Sequence, residues 1–87
     1  MQFIHNDLGS LDGNEVVEVQ LSAAANVKLM DSSNFSAYRR GDRHSYYGGH
    51  VTQTPFAVRV PRPGHWHVTI DRGGYSGSVQ ASVRVIG

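Results

Sequence analysis

The sequence predicts an all-β domain: an antiparallel β-sandwich, or a small, partly open barrel, of six to seven short strands with at most one short helix near residues 32–40. Three observations carry this. Apolar residues recur with a period of two rather than 3.6 over most of the chain. Clusters of Gly, Pro, Asn and Asp punctuate the alternating runs at regular spacing. The chain has 87 residues, which is one domain with one core.

Residues 2–5 form a short first strand, and residues 7–14 (D-L-G-S-L-D-G-N) read as turn chemistry, with Asp12-Gly13 as a hairpin-type dipeptide. Residues 15–22 alternate, with Val17, Val19 and Leu21 on one face against Val16, Glu18 and Gln20. Residues 26–30 continue as a strand with Val27 and Leu29 inward and Lys28 outward. Asp31-Ser32-Ser33-Asn34 is rich in capping residues and opens a short helix or 3₁₀ turn that ends at Gly41. Residues 42–50 read as a loop or irregular strand. Residues 55–60 alternate with Phe56, Val58 and Val60 on one face, and Pro61-Arg62-Pro63-Gly64 makes a turn. Residues 65–71 alternate strictly, with Trp66, Val68 and Ile70 inward and His65, His67, Thr69 and Asp71 outward. After a turn at 72–77, residues 78–86 make the last strand, with Val79, Ala81, Val83 and Val85 inward. These inward residues are the predicted core, because a strand's buried set shares one parity.

Composition narrows the function classes. Eight Lys+Arg against seven Asp+Glu give a net charge of +1, a balance that speaks against a nucleic-acid or polybasic membrane binder. Without cysteine there are no disulfides, thiolate metal sites or Cys nucleophiles. No stretch approaches the eighteen or so apolar residues of a membrane span. The opening residues turn polar too soon for a signal peptide, so the expected location is the cytoplasm.

The ordered motifs F-I-H-N-D-L-G, V-V-E-V-Q-L-S, A-N-V-K-L-M-D-S-S-N-F-S-A-Y-R-R-G, Y-Y-G-G, V-P-R-P-G-H-W-H-V-T-I-D and G-G-Y-S-G-S-V-Q-A-S-V-R-V-I span nearly the whole chain. In these the sequence resembles the bacterial domain-of-unknown-function family numbered eighteen eighty-three. The resemblance implies a small all-β domain, found alone or joined to TIR-type signalling domains in some bacterial proteins. It implies no activity.

Functional expectations therefore rest on side-chain chemistry. The region between the Asp31 turn and Val51 gathers Tyr38, Arg39, Arg40, Arg43, Tyr46 and Tyr47, and Tyr75 is a further candidate if the fold brings it adjacent. Arg offers forked donors to carboxylate or phosphate, and Tyr offers a stacking face with a polar tip. The expected ligand-binding residues are Tyr38, Arg39, Arg40, Tyr46 and Tyr47, joined by His65 and His67. The expected partner is a protein or a small polar or anionic ligand, bound more weakly as salt rises. The competing reading is that the tyrosines cap the end of the sandwich and the arginines are merely solvated. His65 and His67, at i and i+2 on a strand, share a face as paired imidazole ligands do. A metal-dependent enzyme built on them would need a third ligand from His50, His44, Asp71 or Glu18. The simpler reading leaves both on a solvent face behind Trp66. No triad, nucleophile elbow or phosphate loop is present, so the expectation is a non-enzymatic module requiring no cofactor and no metal. A third reading is a structural homodimer formed through edge strands.

Overall fold

The computed structural model describes residues 3–73 and 77–87. The elements are β1 (Ile4–Leu11), β2 (Val16–Leu21), β3 (Ala25–Asp31), α1 (Ser32–Arg40), β4 (Tyr47–Val51), β5 (Phe56–Arg59), β6 (Gly64–Asp71) and β7 (Ala81–Ile86). A four-stranded sheet, ordered β1-β6-β3-β4, faces a three-stranded sheet, ordered β5-β2-β7, and every pairing is antiparallel. The fold is thus an open sandwich rather than a barrel.

The period-two pattern places the core between the sheets. Val27, Leu29, Trp66, Val68 and Ile70 from the larger sheet meet Val17 and Val19 from the smaller, all essentially without solvent contact. Leu21, Phe56, Val58, Val79, Ala81 and Val83 pack around them, half-buried. Trp66 is 1% exposed, which fixes the register of β6. Its indole N–H donates to the Arg62 carbonyl at 3.1 Å. Val85 departs from its expected place. It lies on the edge strand β7 and stays 39% exposed.

Two further features differ from the sequence reading. The first strand runs through the supposed turn as far as Leu11, with a bulge between Asp7 and Gly9. Gly9 takes a φ of +74°, the left-handed value that lets a strand absorb an extra residue without breaking its ladder. The outer face of the larger sheet is also only partly a solvent face. Helix α1 covers much of β3 and β6, with Phe35 and Tyr38 packing on Met30 and Phe3 as a second small core. Strand β6, central in its sheet, is consequently buried on both faces from Trp66 to Asp71. That is why His67, Thr69 and Asp71, expected on the outside, are buried.

The helix itself follows its caps. Asp31 accepts from the Asn34 N–H at 3.0 Å, and Gly41 closes the last turn with its N–H on the Tyr38 carbonyl. Beyond it, residues 47–51 pair with β3 as a regular strand, and Gly48 permits the approach: a side chain there would run into the Val27 carbonyl. The turn expected at 72–77 falls largely on residues outside those described, as do Gln2 of the first strand and Tyr75 of the expected site. Among the described residues, no helix is long and apolar enough to cross a membrane.

Candidate functional site

The residues expected to form one binding face divide into three environments. Tyr38 belongs to the interior. Its ring is 2% exposed, and its hydroxyl donates to the Asp71 carboxylate at 2.7 Å. Burial, reinforced by the carboxylate it bonds, pushes the Tyr38 phenol well above its ordinary range. Burial would push the Asp71 carboxyl up as well. Donors from Asn26, Tyr38 and the Gly73 N–H outweigh that and hold it below the usual carboxylate value. Tyr38 is therefore a structural residue that locks α1 to β6, and the surface role expected for it is corrected.

Tyr46 and Tyr47 occupy the second environment, at the end of the sandwich. Each is 43% exposed. Register with Leu29 aims Tyr47 at the interior, where its ring meets Trp66 edge-on at 6.2 Å. Tyr46 turns the other way and receives the Lys28 ammonium at 4.6 Å from its ring centre. Between the two tyrosines lies a pocket of about 220 Å³, lined also by Leu29, Asp31, Asn34 and Arg62. Arg62 was not among the expected site residues. Its guanidinium lies over the Trp66 ring at 5.0 Å and donates to Asp31 at 3.0 Å and to the Tyr47 hydroxyl at 3.4 Å. The Asn34 N–H and side-chain donors, with Arg62, outweigh partial burial and hold the Asp31 carboxyl below its ordinary range. The Asn34 side-chain Oδ1 in turn accepts from the Ser45 N–H at 2.7 Å, tying the incoming loop to the pocket. A PRPG turn announces backbone geometry and says nothing of where its one long side chain will reach, so Arg62 is hard to find from sequence.

His65 and His67 form the third environment, on the outer face of β1 and β6. Neither lines the pocket at the tyrosines. The register sets Asp7 opposite His67 and Ser10 opposite His65, so His5, Asp7, His65 and His67 share one face. The His65 Nε2–H donates to Asp7 Oδ1 at 2.6 Å. His67 is held at both nitrogens: Nδ1 shares a hydrogen bond with His5 Nε2 at 2.9 Å, and Nε2 shares one with Ser32 Oγ at 2.8 Å. Phe35 lies flat against both His5 and His67, with ring centres 4.1 and 4.6 Å away. Burial lowers the His67 pKa, so the ring is neutral around pH 7. The Gly9 N–H, with His65, holds the Asp7 carboxyl below its ordinary range. Ligand atoms of Asp7, His65 and His67 all lie within 4.8 Å of one another.

The partners expected for the His pair are elsewhere. Asp71 is taken by Tyr38 and Asn26, Glu18 by Arg84 on the other sheet, His44 by Lys28, and His50 by Asn26. The residue whose ligand atom does lie with those of the His pair is Asp7. The H-x-D of residues 5–7 repeats the spacing of the H-x-H at 65–67, a signal hidden once Asp7 is assigned to a turn. Arg39 joins this face rather than the tyrosines, its guanidinium lying over the Phe35 ring at 5.5 Å. Arg40 pairs with Asp42 at 2.9 Å in the open, where such a contact is worth little.

This architecture defines a class: a small all-β sandwich with one helix laid across its larger sheet. Within that class, the chain belongs to the family described as Domain of unknown function (DUF1883), whose model matches residues 1–87. Comparison with curated proteins and with solved structures finds no match.

Proposed function

We propose that this domain is a non-catalytic interaction module whose end face, around Tyr46, Tyr47 and Arg62, binds a protein segment or a small anionic ligand. The observation behind the proposal is the pair of half-exposed tyrosines flanking a pocket in which Arg62 is already oriented by Trp66 and Asp31. Tyr and Arg are among the side chains enriched at interface hot spots. A volume of about 220 Å³ falls below the roughly 300 Å³ at which small-molecule sites begin. It suits one side chain or a small anion. Arg62 uses two of its donors on Asp31 and Tyr47, which leaves part of its fork for an incoming acceptor. Arg43, in the exposed loop leading to Tyr46, adds positive charge. Resemblance to domains joined to TIR modules supports a sensor or adaptor role in bacterial signalling or defence, in the cytoplasm.

The test is an NMR titration of labelled protein with inorganic phosphate and with a short acidic peptide. Shifts should gather on Tyr46, Tyr47, Arg62 and Trp66, shrink as salt rises, and disappear in Arg62→Gln. A charge swap at Arg39 and Arg40 should weaken peptide binding less. Shifts confined to another face, or unchanged in Arg62→Gln, would remove the assignment.

A second reading, a homodimer, draws on Val85 and Ile86, which leave apolar surface open along the edge strand β7.

A further inference from the structure

The geometry points to a metal site on the outer face of β1 and β6, in which Asp7, His65 and His67 bind one divalent first-row transition ion. This site is separate from the tyrosine pocket and does not depend on it.

The argument begins with donor chemistry. Two imidazoles and one carboxylate are a recurrent three-ligand set for zinc and for non-haem iron, and they leave coordination positions open. Their ligand atoms already lie within 4.8 Å of one another. Bonds of about 2.0–2.2 Å to a single ion require donors roughly 3–3.5 Å apart, so closure takes side-chain adjustment only. The backbone supplies the rest. His65 and His67 are two residues apart on one strand, and Asp7 is directly opposite His67 on the next. The bulge after Asp7 is anchored by the Gly9 N–H on Asp7 Oδ1 at 2.9 Å, which fixes the carboxylate in place.

The surroundings are those a ligating histidine needs. To bind the ion, neutral His65 gives up its Nε2–H bond to Asp7 and carries its proton on Nδ1, and His67 exchanges one of its two hydrogen bonds for the metal. The other, to His5 or to Ser32, remains and orients the ring, as a second-sphere partner does. Phe35, flat against His5 and His67, restricts tilting of both rings. Asp7 and His65 are about half exposed and give the ion a way in. The helix cannot supply this function by itself. It contributes Ser32 and Phe35 as a wall, while the sheet contributes every ligand. Soft thiolates are absent, and a single carboxylate is too few for calcium or magnesium, which prefer sets of oxygens.

The experiment is isothermal titration of the tag-free full chain with zinc chloride, with magnesium chloride as the control. Cobalt absorption and ¹⁵N shifts of the histidine ring nitrogens supply independent readouts. One zinc per chain is expected, with no heat from magnesium. The ring shifts should fall on His65 and His67 and spare His44 and His50. Asp7→Asn and His65→Gln lie at exposed positions and keep the fold, as circular dichroism will verify. Each should weaken zinc binding at least tenfold. Ser32→Ala and His5→Ala should be compared as well, and whichever removes the retained orienting bond should weaken binding by about 10–100-fold. Absence of zinc binding overturns the proposal. So does zinc bound equally well by Asp7→Asn and His65→Gln, which would put the ion at other histidines.

Discussion

Asp71 shows how one residue can decide whether a helix stays on a sheet. Its buried carboxylate accepts from Asn26, Tyr38 and the Gly73 N–H, and these bonds keep it ionised in the fold. Its pKa when folded lies below the ordinary 3.8. The bonds therefore stabilise the protein fully above that value, and the contribution is lost as pH falls through the folded pKa. The wild type should lose stability more steeply below about pH 4 than Asp71→Asn, and the variant should be the less stable of the two at pH 7. Tyr38→Phe removes one donor from a buried anion and should cost about 1–3 kcal/mol. Urea unfolding across the pH range checks both. A Tyr38→Phe variant as stable as wild type would mean that Asp71 is served by water instead. From sequence, Tyr38 and Asp71 carried only their residue types. One looked like a surface aromatic and the other like a strand-end carboxylate, because their pairing spans 33 residues and depends on where the helix lands.

The strands were readable wherever one face is buried and the other wet. Residues 16–21 and 56–59 alternate, and they lie in the smaller sheet, whose outer face is open. Strand β6 also alternates in apolar character, yet it is covered on both sides, since period two reports which residues are apolar and cannot say what covers the polar ones. The helix was readable from its caps: Asp31 before it and Gly41 after it bracket α1 as the structure has it. The bulge in β1 was not, because a Gly that relieves a strand looks the same as a Gly that ends one. As for the candidate site, the H-W-H strand and the Y-Y pair were legible locally, while Asp7 and Arg62 arrive through long-range register. Asp31 is the element most open to a direct test. It caps α1 and also pairs with Arg62. Asp31→Ala should cost about 0.5–2 kcal/mol, whereas Asp31→Asn, which can still cap, should lose much less. Equal losses in the two variants, measured by chemical denaturation, would assign the effect to the ion pair instead.

At the scale of the molecule, a sandwich of three layers at one side and two at the other is asymmetric in what it leaves open. Among the described residues, β5 and β7 are the edge strands of the smaller sheet, and β7 adds the exposed Val85 and Ile86. If the homodimer reading holds, sedimentation equilibrium should give twice the chain mass at micromolar concentration, and Val85→Lys with Ile86→Lys should return it to the monomer. A monomer at all concentrations would leave the tyrosine face as the interaction surface.

The doubly covered strand β6 carries one more consequence. Trp66, Val68 and Ile70 hold the interior on one side of it, while His65 and His67 meet the outer face on the other. The amides of such a strand, bonded on both sides to β1 and β3, are expected to exchange only through opening of most of the domain. Any ligand taken by the histidines therefore grips the last segment to come apart. Binding there should raise the free energy of global opening by RT ln(1 + L/Kd) at free ligand concentration L, instead of only stiffening a loop at the surface.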